Sequence, residues 1–254
     1  MPHPPLLSAA DPHPVRVLRP DGVPPFLLVC DHAGREVPLA LGDLGVGRAD
    51  WDRHIAWDIG VAGVGELLSE TLGATCILQT YSRLVIDCNR VPGHPTSIPP
   101  VSDATAVPAN VGLSAEAAAE RAAAIFAPYQ AAVGAAVNAR AGGPLALVAL
   151  HSFTPVFGGV ARPWQAGVLY NRDPRLSHAL ARLLEAEGFL VGYNEPYRLS
   201  DESDYTVPVH AERLGLAYVE LEIRQDLIAD AQGQAAWAGR LARLLPLAWA
   251  AGCG

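Results

Sequence analysis

The chain has 254 residues, a formal net charge of −8 and a hydrophobic fraction of 50%, which suits one large globular domain or at most two. The acidic balance, with pI near 5.4, argues against a nucleic-acid-binding protein, and the absence of an uninterrupted run of about 18 apolar residues argues against a transmembrane helix. All 18 basic residues are arginine, so neither a lysine Schiff base nor a P-loop lysine can operate here. Met1 to Pro14 lacks the basic start and apolar core of a signal peptide, so a cytoplasmic protein is expected.

In chain order, residues 1–24 hold seven prolines and little period, which predicts an irregular arm before a single domain over 25–254. Phe26 to Cys30 (FLLVC) predicts a strand buried on both faces, and polar residues begin where it ends, at Asp31-His32-Ala33-Gly34. A helix is expected from Asp50, as cap, to Leu72, closed by Gly73. Thr75 to Asp87 predicts two short strands, CILQT and LVID, around Tyr81-Ser82-Arg83. Arg90 to Val111 contains five prolines and predicts a long loop of the kind that often carries function. Ser114 caps an Ala-rich helix to about Arg140, which Pro128 should kink or split. Leu145 to Leu150 predicts a buried strand that ends at His151-Ser152. A strand over Gly167–Tyr170, a helix over 174–188, strands at 190–193 and 217–223, and a last helix at 233–250 complete the alternation. This pattern predicts an α/β domain around a mainly parallel sheet, with ligands bound beyond the carboxyl ends of its strands.

His32 and His151 each stand at the end of a buried strand. Two imidazoles and a carboxylate are a donor set for catalytic zinc, with Asp58 and Glu36 both open as the third ligand; a structural hydrogen-bonding role for either histidine is the alternative. Glu220 and Glu222 share one face of the strand AYVELEI, with Arg224 on the same face. A buried glutamate is costly unless paired or functional, so the choice lies between an internal Glu–Arg pair and a general base. Arg83, Asn89 and Arg90 suit recognition of a carboxylate, or else form salt bridges with Asp87. His210 could stabilise an oxyanion or hold a loop. His54 lies four residues before Asp58, a helical spacing that allows a shared face. The four cysteines fit no metal or redox spacing. Ser152 lacks a G-x-S-x-G elbow, and no nucleotide-binding glycine motif is present.

Together the segments VCDHAGREVP (29–38), HIAWDIG (54–60), SRLVIDCNR (82–90), ALHSFTPVF (149–157), NEPY (194–197) and HAERLGLAYVELEIRQDLI (210–228) resemble the N-formylglutamate amidohydrolase family. The resemblance implies an α/β/α sandwich around a mixed, mainly parallel sheet, similar to that of zinc carboxypeptidases. It implies a zinc-dependent amidohydrolase that releases formate or another small acyl group from an acidic N-acyl amino acid, with N-formyl-L-glutamate the foremost substrate. His32, His151 and, by preference, Asp58 would hold the metal, although another transition metal fits the same donors. Arg35 stands where the carboxypeptidase His-x-x-Glu pattern places its glutamate, and Glu36 is offset by one. Glu222 would be the general base and His210 a catalytic partner, with Arg83, Asn89, Arg90 and Arg224 toward the substrate. The competing expectations are a hydrolase of a different N-acyl amino acid and a non-catalytic binding protein for an acidic N-acyl metabolite.

Overall fold

The computed structural model describes residues 5–253. At its centre lies a seven-stranded sheet. In chain order its strands are β1 (Val15–Leu18), β2 (Phe26–Cys30), β3 (Thr75–Gln79), β4 (Ala146–Phe153), β5 (Ala166–Leu169), β6 (Val191–Tyr193) and β7 (Ala217–Arg224). Their spatial order is β1-β3-β2-β4-β7-β5-β6. The pairs β2–β3, β2–β4, β4–β7 and β5–β6 are parallel, whereas β1–β3 and β5–β7 are antiparallel. The sheet is therefore mixed and mainly parallel.

Helices cover both faces, as continuous apolar strands require. They are α1 (Val61–Leu72), α2 (Ala115–Arg121), α3 (Ala127–Asn138), α4 (Arg175–Ala186), the short α5 (Thr206–His210) and α6 (Ala231–Gly252). Strand alternation divides the core in two. Leu28, Val148, Leu150, Val219 and Leu221 pack against Val64, Leu68, Leu180, Leu184, Leu241 and Leu245 of α1, α4 and α6. Leu27, Val29, Leu147, Ala149 and Tyr218 face the other layer, with Tyr129, Val133 and Val137 of α3. Each fully buried Leu or Val contributes about 1.5–3 kcal/mol relative to exposure.

Several local expectations needed correction. The N-terminal arm is not wholly irregular, because Val15–Leu18 pairs along β3 as an edge strand; residues 1–4 lie outside the described residues. The first long helix begins at Val61, not Asp50, and residues 48–52 form a separate 3₁₀ turn. Gly60 breaks the two apart at φ +83, and a Cβ there would stand 2.1 Å from the carbonyl oxygen of Ile228. This loop before α1 thus keeps the helix pattern from extending back through Asp58. Leu84 to Asp87 forms turns rather than a strand. Ser114 does cap α2, accepting from the Ala117 N–H at 3.2 Å. The irregularity expected at Pro128 takes the form of a π-helical segment, Ala122–Phe126, before α3 resumes. Proline lacks the N–H that would continue the ladder, and the helix widens just upstream. β4 runs on through Phe153, so His151 lies within a strand rather than after it.

Candidate metal centre and active site

The carboxyl ends of β2, β4 and β7 meet over one cavity of about 330 Å³. His32 follows β2 by two residues. His151 and Glu222 are register partners on β4 and β7, and the two-residue alternation that buries Leu147 and Ala149 brings His151 to the α3 side of the sheet. Asp58 enters from the loop before α1, where its own N–H donates to the His32 carbonyl at 2.9 Å. His32, Asp58, His151, Arg83, Asn89, Arg90, Glu220 and Glu222 all line the cavity.

Two imidazoles converge on one carboxylate oxygen. His32 Nδ1 and His151 Nδ1 lie 3.3 and 3.0 Å from Asp58 Oδ2. His32, Asp58 and His151 can each offer one ligand atom, all within 4.8 Å of one another. Of the two carboxylates open from the sequence, Asp58 is the one beside the histidines; Glu36 lines a different cavity, with Arg35 and Trp57. The outer imidazole nitrogens are also backed by acids. His32 Nε2 lies 2.7 Å from Asp87 Oδ1, and His151 Nε2 lies 3.3 Å from Asp31 Oδ2. The acid hydrogen-bonded behind His32 fixes its ring orientation and raises the basicity of the nitrogen facing the ligand, as in many zinc sites, whereas Asp31 stands beside His151 Nε2 as a charge without a hydrogen bond. All five side chains are buried. Two imidazoles, one carboxylate and two nearby acids therefore fit a divalent cation by donor type and by charge.

The electrostatics follow from this crowding. Burial opposes charge on Asp58, yet the two imidazoles hold its carboxyl far below the usual range. Burial likewise opposes charge on both histidines, but the carboxylates around them outweigh it and raise both. Asp87 is held well below its ordinary value, against burial, chiefly by Arg83. Arg83 donates to Asp87 through Nε and Nη2 at 3.1 and 2.7 Å and to Asp58 Oδ1 through Nη1 at 3.3 Å.

The opposite wall behaves differently. Glu222 is pushed up to about 7, first by burial and then by its neighbour Asp58, with the imidazoles and Arg83 opposing. Burial, then Asp204, drives Glu220 well above its ordinary range. Among the described residues, Oε2 of each glutamate is buried with no hydrogen-bond partner.

A strap over residues 197–206 closes this side. Asp204 accepts from Asn89 Nδ2 at 3.2 Å and from Arg90 Nη1 at 3.1 Å. The side-chain oxygen Oδ1 of Asn89 accepts the N–H groups of Tyr205 and Thr206. Asn89 thus ties the strap to the cavity floor, and Arg90 is the better placed of the pair to hold a ligand.

Two sequence-predicted site residues do not reach the cavity wall. His210, at the end of α5, is hydrogen-bonded through Nε2 to Gln130 Oε1 of α3 at 2.7 Å. Burial of this ring lowers its proton affinity. Its tie to the site is indirect, through Gln130, Thr206 and the 2.6 Å bond from Thr206 to Asp31. Arg224 turns back to Asp226, with bonds of 2.8 and 3.1 Å. The last residue of a strand is free to follow the chain's turn rather than the strand's alternation. Conversely, Asp31 and Asp87 had not been assigned as backing acids. The available signal was an acid beside a strand-end histidine, since a ligating imidazole needs a partner on its far nitrogen. His54 and Tyr197 also line the cavity, although His54 is not on a helix with Asp58.

Known proteins resemble this arrangement across nearly the whole chain. The fold matches gene product Atu2144 from Agrobacterium tumefaciens at TM-score 0.93 and 36% identity, covering 96% of this chain and 98% of that one. It also matches the N-formylglutamate amidohydrolase from Ralstonia eutropha JMP134 at TM-score 0.67 and 20% identity, covering 94% and 98%, a likeness of fold. No curated protein sequence matches at a significant level. The family model for N-formylglutamate amidohydrolase matches residues 24–229. That span begins just before β2, ends after β7 and includes every cavity-lining residue described above, so the chain belongs to the N-formylglutamate amidohydrolase family.

Proposed function

We propose that this protein hydrolyses the amide bond of an N-acyl amino acid, with N-formyl-L-glutamate as the reference substrate and a divalent cation, zinc by donor type, held by His32, Asp58 and His151. The observation that carries this reading is the convergence of both Nδ1 atoms on Asp58 Oδ2, facing an unpartnered Glu222 in one cavity. Family membership supports amide hydrolysis. When bound, such a cation polarises an acyl oxygen and acidifies a water.

The protein's own groups do the rest. Glu222 takes the proton from the attacking water, whose oxygen bonds to the acyl carbon. The C–N bond then breaks, and Glu222 returns the proton to the departing amine; the products are formate and the free amino acid. A carboxyl near 7 serves both directions at neutral pH. Arg83, fixed by two acids beside the triad, adds positive charge where the oxyanion develops. Arg90 holds the substrate's α-carboxylate through the nitrogens it does not use on Asp204 and on the Asn89 carbonyl.

The test is formate release from N-formyl-L-glutamate by protein reloaded with zinc, against the same protein stripped by chelator. Zinc-dependent release is the expected result. No release in either sample, from protein with an intact melting transition, would remove this substrate. Retained zinc-independent binding of N-acyl amino acids would then favour a non-catalytic binding protein.

A further inference from the structure

The arginines around the cavity are paired with acids, with one exception. Arg83 bridges Asp87 and Asp58, Arg90 meets Asp204 at 3.1 Å, and Arg53 meets Asp50 and the lining residue Asp103 at 2.7 and 2.9 Å. Arg162 has no acidic partner among the described residues. It reaches the mouth because the chain doubles back after β4. Val156–Phe157 pairs with Val160–Ala161 as a hairpin, and the Arg162 N–H closes it on the Pro155 carbonyl at 2.8 Å. The guanidinium then lies 5.9, 4.6 and 4.8 Å from the ring centres of Phe153, Phe157 and Tyr197, and all three rings line the cavity. It donates through Nη1 to Tyr197 Oη at 2.9 Å. Aromatic faces hold a guanidinium without neutralising it, and they leave its in-plane N–H donors to another acceptor.

We propose that Arg162 is the specificity-determining residue of the side-chain subsite, where its guanidinium binds the side-chain carboxylate of an acidic N-acyl amino acid. The proposal rests on the amide-hydrolase reading above and assigns the contact that separates one N-acyl amino acid from another. With Arg90 on the α-carboxylate, a dicarboxylate brings a second negative charge into the cavity. Arg83 is held by two acids and Arg53 by two more, so Arg162 is the cation left to meet it. The β7 wall does not oppose this charge, since burial drives Glu220 well above its ordinary range and favours its uncharged form. The collar also suits the stem of such a side chain. Phe157 and Tyr197 are 44% and 41% exposed, and methylenes lying between the metal centre and Arg162 would cover their faces.

The experiment compares kcat/KM of the zinc-loaded enzyme for N-formyl-L-glutamate and N-formyl-L-glutamine, in wild type, Arg162→Met and Arg162→Lys. The two compounds share a shape and differ in one charge. Wild type should favour glutamate by about 10–100-fold. Arg162→Met keeps an unbranched stem without the charge and should bring the ratio close to unity, and Arg162→Lys, which keeps the charge without the fork, should fall between. Each ratio is taken within one protein, so partial misfolding of a variant does not affect it. Equal hydrolysis of the two compounds by wild type overturns the subsite and leaves the hydrolase reading standing. An equal loss on both compounds in Arg162→Met also overturns it, because it would put Arg162 on the α-carboxylate that both carry or give it a structural role. If neither compound is hydrolysed, calorimetric binding of the same two to the zinc-loaded protein separates the ideas. Glutamate-selective binding that Arg162→Met removes keeps the subsite while the hydrolase reading falls; equal binding of the two overturns the subsite, and absence of binding by both overturns both readings.

Discussion

The two walls of the cavity are built on opposite rules. On the β2–β4 wall most polar groups are matched, the exceptions being His151 Nε2 and Asp31 Oδ2, which lie 3.3 Å apart without making a hydrogen bond. Each imidazole touches Asp58 and has its own backing acid, and Arg83 bridges Asp87 and Asp58. On the β7 wall, two buried glutamates stand without hydrogen bonds through Oε2. The first wall is preorganised, so its geometry does not wait for a ligand. The second holds its carboxyls in an environment that penalises charge, which is how a protein keeps a group ready to exchange a proton or to be completed by a ligand. A scaffold and a reactive edge thus share one cavity, joined by the His151–Glu222 register.

Breaking the matched wall should have the largest effect. His151→Ala removes one of three donors. Zinc content should fall to background by elemental analysis, and formate release with it; full zinc occupancy in this variant would refute the triad. Next comes the reactive edge. Glu222→Gln keeps the shape but cannot take up the proton, so turnover should drop about 10²–10⁴-fold with zinc still bound. Activity at the wild-type level would take Glu222 out of the mechanism.

A smaller effect sharpens the contrast within the matched wall. Asp87→Asn preserves volume but weakens the partner of His32 and Arg83. Zinc affinity, measured by competition with a chromophoric chelator, should weaken by about 10–100-fold. Unchanged affinity would mean that Asp87 serves only Arg83. The smallest effect on chemistry is expected at His210, which lies behind both walls. His210→Ala strands the Gln130 carbonyl oxygen and should cost about 1–3 kcal/mol of stability, read as a lower melting temperature. Turnover should stay within about tenfold of wild type, because His210 reaches the site only through Gln130, Thr206 and Asp31. A loss as large as that of Glu222→Gln would return His210 to the catalytic group.

Much of the architecture was legible because apolar periodicity is a local signal. FLLVC, LALVAL and AYVELEI can be buried on both faces only within a covered sheet, and Gly73 and Ser114 terminate or begin helices through their own backbone and side-chain chemistry. The histidines at strand ends and the glutamates on one strand face were visible for the same reason. Strand β1 was not, because an edge strand of four residues among prolines depends on the neighbour it pairs with. The start of α1 was misplaced because Gly60 answers to a contact with Ile228, far along the chain.

The sequence by itself determined most of the element types and marked the two imidazoles and the glutamates of the β7 face as candidates, since each depends on residues close together in the chain. Only the tertiary structure decided among carboxylates. It placed Asp58 rather than Glu36 between the histidines, set Asp31 and Asp87 behind them, sent His210 and Arg224 to other partners, and left Glu220 without one. Arg224 is drawn aside by an acid two residues on, whereas the placements of Asp58 and Asp87 depend on distances between residues separated by 26 to 93 positions. A carboxylate's role is fixed by the charge it meets across such a gap, and that neighbour is not written beside it in the chain.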